Sequence, residues 1–218
     1  MPENLDQTEI RILGALVEKQ LTTPEYYPLT LNALVNACNQ KNNRDPVVSF
    51  DEKTVSDALE RLRDRNLVYI FYGSGARVPK YKHMLPSVYE LEPSETAVIA
   101  VLMLRGPQTI GELRDRTGRM HEFAGLDEVQ TTLDLLSRRD EPLVAKLERL
   151  PGQKDARYAH LLAGEIDVEA VAVAHQPRVS QTTSANERVT KLESEVERLS
   201  GEVAGLRDAF AEFRKQFE

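Results

Sequence analysis

The sequence predicts a mainly α-helical α+β protein: two copies of a small helical unit, each closed by a β-hairpin, followed by a long C-terminal helix. Three observations predict it. Segments with apolar residues at helical spacing give way to a run rich in β-branched and aromatic residues, and that order occurs twice. Capping signatures stand where helical segments begin. Residues 187–218 carry an unbroken heptad.

The first helix begins at Asp6, which caps it, with Glu9 completing a capping box and Leu5 and Ile10 placed as a hydrophobic staple. Its apolar stripe is Ile10, Leu13, Leu16 and Val17, and Thr23-Pro24 ends it. Thr30 caps a second helix with Leu31, Leu34, Val35 and Cys38 on its apolar face, and the polar run Asn39 to Asp45 before Pro46 stops it. A third helix starts at Asp51, buries Val55, Ala58, Leu59 and Leu62, and has Phe50 as its staple. The period then switches to that of a strand over Leu67–Tyr72. Gly73 to Ala76 reads as a turn, and Val78 to Tyr81 as a returning strand.

The same order follows again. Pro93 opens a helix carrying Val98, Val101 and Leu102, and Gly106 ends it. Thr109 and Glu112 form a capping box on the next, and Asp127 with Gln130 opens a third. Its residues Val129, Leu133 and Leu136 match Val55, Leu59 and Leu62 at one constant offset. A strand to Leu147, a turn at Pro151-Gly152 and a strand from Arg157 to Leu162 complete the repeat. Three helices and a hairpin are the order of a winged helix, with the third helix as recognition helix and the hairpin as wing. The expected organisation is a first winged-helix domain at 1–86, a second at 87–164, a flexible linker at 165–186 and a coiled-coil helix at 187–218.

In the coiled-coil segment, Val189, Val196, Val203 and Phe210 hold one seam position, and Leu192, Leu199, Leu206 and Phe213 hold the other. Val at the first and Leu at the second favours a parallel pair, so a homodimer is expected; the alternative is that the stripe folds back on its own domains.

Composition narrows the function. No run of about 18 apolar residues exists, so no membrane segment is expected, and the N-terminus lacks the pattern of a signal peptide. Cys38 is the only cysteine, which points to a reducing cytoplasm and away from a disulfide or a cysteine-based zinc site. No phosphate-binding loop appears, the four histidines lack zinc-ligand spacing, and Cys38 lies on an apolar helix face, so no catalytic residue, cofactor or metal is expected. Met120 to Phe123 reads as a connecting loop. Basic and acidic residues number 11 and 12 in 1–90, 10 and 13 in 91–165, and 7 and 10 in 166–218. No part of the chain is globally basic, and only local patches can meet a phosphate backbone.

Two patches qualify. Arg77, Lys80, Lys82 and His83 stand within seven residues on the first wing, with no acid from Gly73 to Tyr89. On a strand, Lys80 and Lys82 share a face with Tyr81 opposite. The Asn39–Asp45 run offers Lys41, Asn42, Asn43 and Arg44, side-chain types that bind phosphate and base edges; a solvated loop that satisfies its own helix end is the plainer reading. The outward stripe of the third helix, Lys53, Asp57, Glu60 and Asp64, is acidic apart from Lys53, and its counterpart Asp127, Thr131, Asp134 and Arg138 is acidic too. Such faces repel phosphates and suit a protein partner. Two functions therefore stand: a double-stranded-DNA-binding or transcription-associated protein using the first wing, Lys53 and the Asn39–Arg44 loop, or a protein-interaction scaffold using the acidic helices and the tail.

A family resemblance accompanies these readings. Glu18-Lys19-Gln20, Thr22-Thr23-Pro24-Glu25, Tyr27-Pro28-Leu29, Ala37-Cys38-Asn39-Gln40-Lys41 and Asn43-Arg44 resemble the YceH family of bacterial proteins. Arg77-Val78, Lys80-Tyr81, Leu104-Arg105-Gly106, Gln108-Thr109 and Gly111-Glu112-Leu113-Arg114 continue the likeness, which covers about residues 5–162. The resemblance implies a duplicated winged helix. It brings no activity and no catalytic residues.

Overall fold

The computed structural model describes residues 4–72, 78–149, 155–164 and Arg198. All but Arg198 belong to the first of the chain's two compact units, residues 1–171. The first half runs α1 (Gln7–Thr22), a 3₁₀ turn (Pro24–Tyr26), β1 (Leu29–Thr30), α2 (Leu31–Cys38), α3 (Glu52–Asp64), β2 (Val68–Phe71) and β3 (Lys80–His83). A short helix α4 (Leu85–Tyr89) leads to α5 (Pro93–Arg105), α6 (Ile110–Thr117), α7 (Leu126–Ser137), β4 (Val144–Lys146) and β5 (Tyr158–His160). The fold is α+β: helices with small antiparallel sheets.

The caps explain where the helices start. Asp6 and Glu9 form a reciprocal box on α1, and Thr109 and Glu112 form another on α6. Thr30 caps α2 and Asp51 caps α3 through their side chains. At α7 the expected opening is corrected. Gly125 is the cap residue and Asp127 lies inside the first turn. Gly125 has no side chain to cap with, and Glu128 reaches back instead to accept from the Ala124 N–H at 2.7 Å. β2 and β5 are shorter than the runs that signal them, and β3 keeps the expected length but sits two residues later.

The two halves share several backbone pairings. In the first half β1 pairs with β3, and β3 with β2, with Leu29 opposite Tyr81 and Val68 opposite His83. In the second, Gln108 bridges Tyr158 and Val144 lies opposite His160. The Leu67 N–H reaches back to Leu62 O, as that of Leu143 does to Leu136 O. Glu9 and Glu95, both buried near the start of a first helix, are held by Arg65 at 3.4 Å and Arg139 at 2.7 Å, each just beyond a third helix.

The first helices of the two halves pack against each other, and both are buried around their circumference. Gly14 sits at the contact. A Cβ there would stand 2.9 Å from Leu104 Cγ and 3.1 Å from Met103 Cβ, so only glycine permits this approach. One hydrophobic cluster runs through both halves, joining Leu13, Leu16, Leu59 and Leu62 to Val98, Leu102, Leu133 and Leu136.

Candidate nucleic-acid interface

The first hairpin sorts its side chains by alternation. Val68 and His83 are buried, and Ile70 and Tyr81 are half-buried on the same inner face. The outer face carries Tyr69 opposite Lys82 and Phe71 opposite Lys80. Tyr69 is 62% exposed, Phe71 45% and the adjoining Tyr72 66%. Lys82 is exposed, Lys80 half-exposed, and neither has an ion-pair partner among the described residues. The sheet thus presents two exposed aromatic rings on β2, each across from a lysine on β3. The lysine alternation is legible in the sequence, and Val68-Tyr69-Ile70-Phe71 alternates with the same period, which places Tyr69 and Phe71 on the lysine face. Arg77 lies outside the described residues, as do the seam residues Val189, Leu192, Val196, Leu199, Val203, Leu206, Phe210 and Phe213.

His83 leaves the basic patch. It is buried, neither ring nitrogen has a hydrogen-bond partner among the described residues, and burial followed by the nearby Lys82 charge lowers its pKa to about 4. It is a neutral core group at pH 7. Its counterpart His160 has its pKa lowered to about 4 by burial of the ring.

Arg44 is corrected in the same way. Its side chain has no exposed surface. The guanidinium donates to both oxygens of Glu18, at 3.1 and 2.6 Å, and to Ala37 O at the end of α2 at 3.2 and 2.9 Å. Asn43 O and Gln40 Oε1 take further bonds. The polar run needs an internal cation because it leaves α2 and folds back over it, exposing helix-end carbonyls to be satisfied. Asn39 secures the other end, exchanging two 2.8 Å bonds with the Phe50 backbone. Lys41, Asn42 and Asn43 are exposed, and Asn43 adopts a left-handed backbone with φ 61°.

Lys53 is exposed but bonded to Asp57 at 3.0 Å, one turn along α3. Glu60 and Asp64 are exposed on the same helix, while Arg61 turns to Asp6 and Glu9 at 2.6 and 3.1 Å. In the second half, Arg138 lies 3.7 Å from Asp134, and Leu126 and Leu135 are exposed on α7. Cys38 is buried, and burial raises its thiol pKa to about 12, so it stays protonated despite Arg44 and Arg11 nearby. His121 packs edge-on against Phe123 in the loop between α6 and α7, with ring centroids 4.6 Å apart. Among the described residues, no group of three His, Cys, Asp or Glu side chains is placed to hold a metal ion, and no helix is long and apolar enough to cross a membrane.

Fold and surface together define an α+β protein made of two helix-and-hairpin units, distinguished by an aromatic and basic outer face on the first hairpin. The chain belongs to the DUF480 family, described as a protein of unknown function, whose model matches residues 5–153. It is 50% identical over 216 residues to a UPF0502 protein of Pelobacter propionicus, covering 98% of each chain. A UPF0502 protein of Citrifermentans bemidjiense is 52% identical over 218 residues, covering both chains completely. One from Solibacter usitatus is 47% identical over 218 residues, again over both full lengths.

Proposed function

We propose that this chain is a non-catalytic, cytoplasmic tandem winged-helix protein that binds double-stranded DNA through its first wing. The observation that carries the reading is the outer face of that hairpin, where Tyr69 and Phe71 lie opposite Lys82 and Lys80. Lysines without a neighbouring carboxylate attract phosphates, and exposed rings beside them add stacking and van der Waals contact to sugar and base. Lys41 and Asn42, exposed in the loop after α2, are further candidate contacts, whereas Asn43 accepts from Arg105. The helix order α1–α2–α3 followed by β2 and β3, with β1 pairing on β3, supports the winged-helix assignment in the first half; the bridge from Gln108 to Tyr158 supports it in the second. The heptad over 187–218 supports a parallel homodimer that would present two such wings.

A specific observation favours a second reading. Asp57, Glu60 and Asp64 are exposed on α3, where a recognition helix would face DNA, and Leu126 and Leu135 are exposed on α7. A protein partner suits those faces better than phosphate does. Electrophoretic titration of a labelled duplex decides between the two. On the DNA reading, Lys80→Ala with Lys82→Ala weakens binding to every sequence, and Asp57→Ala with Glu60→Ala strengthens it by relieving repulsion. On the scaffold reading, neither pair of changes alters retention of DNA, and the acidic substitutions abolish a protein complex.

A further inference from the structure

Beside the docked polar loop, the two halves line an open, charged cavity. The Asp45 N–H donates to Leu104 O at 2.9 Å, and the Arg105 guanidinium donates to Asn43 Oδ1. Between this loop, the ends of α1 and α5, and α6 lies a space of about 170 Å³. Arg105, Arg116 and Arg119 line it from the second half; Glu18 and Thr22 line it from the first; Asp115 closes it.

The charges do not cancel. Glu18 is held by Arg44 at 2.6 Å, with Lys19 at 3.6 Å, and Asp115 by Arg114 at 2.8 Å. None of these three cations lines the cavity, so both carboxylates are neutralised from outside it. Arg116 is 3.3 Å from Glu112, but that carboxylate is also bound by Arg157 at 2.7 Å. Arg105 and Arg119 have no carboxylate within ion-pair distance among the described residues. Partial burial, and then the like charges of Arg116 and Arg44, lower the pKa of Arg105 against the smaller opposing pull of Glu18 and Glu112. Arg105 and Arg116 repel each other across a concave site that Arg119 also lines, and an anion held there relieves that repulsion. The planar fork of arginine matches the oxygens of a phosphate or carboxylate, and three forks suit the higher charge of a phosphate.

We propose that this cavity binds a small phosphorylated molecule through its phosphate group, with Arg105, Arg116 and Arg119 as the anion-binding residues. At roughly 30 Å³ per water in the liquid, the space corresponds to about five or six waters, enough for a phosphate and a few adjoining atoms. Because both halves contribute to the lining, the bound molecule ties them together and stabilises the fold. The assignment is independent of DNA binding by the hairpin.

Thermal unfolding of the full-length protein tests it, with inorganic phosphate or glycerol 3-phosphate added and chloride at equal ionic strength as the reference. Both phosphates should raise the midpoint above chloride, and the double variant Arg105→Gln/Arg119→Gln should weaken that binding about tenfold or more, as loss of charge-assisted bonds predicts. Arg119 is exposed beyond the end of α6, so Arg119→Gln alone gives the same reading if the double variant does not fold. Duplex binding by the variant should match that of wild type. A shift no larger than that of chloride, or one that survives in the variant, overturns the proposal. Loss of duplex binding in the variant without any response to phosphate overturns it too, and assigns the arginines to a DNA backbone.

Discussion

Replacing Arg44 with Ala separates a structural arginine from a DNA contact. In the native chain its guanidinium is fully buried and makes six hydrogen bonds, two of them to Glu18. The substitution strands a carboxylate whose side chain is 12% exposed and leaves the Ala37 carbonyl unpaired. Breaking a buried ion pair by removing one partner costs about 3–5 kcal/mol. For a chain of this size that lowers the thermal midpoint by roughly 6–20 °C. The pH dependence has a definite sign. Burial alone would raise the Glu18 pKa, but hydrogen bonding and charge from Arg44, assisted by Lys19, hold it below the usual value. Without Arg44, burial dominates and the pKa rises. The loss is then largest at neutral pH and shrinks as acid protonates Glu18 in the folded variant. Adding Glu18→Gln to the variant should recover part of the stability, because no charge is left stranded. Chemical denaturation of the three proteins at pH 7 and pH 5 measures all of this. A loss below about 1 kcal/mol, or unchanged stability with a weaker salt dependence of DNA binding, would contradict a structural role for Arg44.

Other expectations concern the core, the seam, acid and assembly. Leu59→Ala and Leu133→Ala, at equivalent positions 3% and 0% exposed, should each cost about 2–5 kcal/mol in denaturant titrations. Gly14→Leu should cost at least about 2–3 kcal/mol by forcing apart α1 and α5; full stability in that variant would contradict the close approach at Leu104. His83 is neutral in the fold with its pKa near 4, against about 6.5 unfolded, so its contribution is complete above pH 6.5 and is lost as pH falls towards 4. That is about 2 kcal/mol between pH 6.5 and 5, and His83→Leu should flatten this part of the stability profile. Deleting residues 187–218 should convert a dimer to a monomer by light scattering, and a full-length monomer at micromolar concentration would remove the coiled-coil assignment.

Local rules made most of the fold legible. Asp6, Thr30, Asp51 and Thr109 cap their helices because a short side-chain oxygen is the commonest solution for exposed helix-start amides. Leu59 and Leu133 are both buried because the repeat keeps their helical phase. Long-range packing hid the rest. Nothing local to α1 says that its polar side is also covered, since α5 lies about 90 residues away in sequence. Composition alone makes Arg44 look like a phosphate ligand; its partner Glu18 lies on another helix. His83 has the composition of a basic wing residue, but strand pairing sets it opposite Val68 on the buried face. The Arg105, Arg116 and Arg119 cavity depends on how the loop after α2 meets the second half, which no motif encodes.

The salt dependence of duplex binding decides whether the first hairpin meets a phosphate backbone. With Arg44 and His83 withdrawn, the candidate phosphate contacts of one protomer are Lys41, Arg77, Lys80 and Lys82, and Lys53 is already bonded to Asp57. Four contacts give a logarithmic slope of roughly −3 to −4 per protomer, and removing Lys80 and Lys82 should reduce its magnitude by about two. Replacing Tyr69 and Phe71 with Ala should weaken affinity while leaving the slope unchanged, because the rings release no counterions. If wild-type protein shows no binding at low salt, or if the slope is indifferent to Lys80 and Lys82, the first hairpin is not a DNA-binding surface.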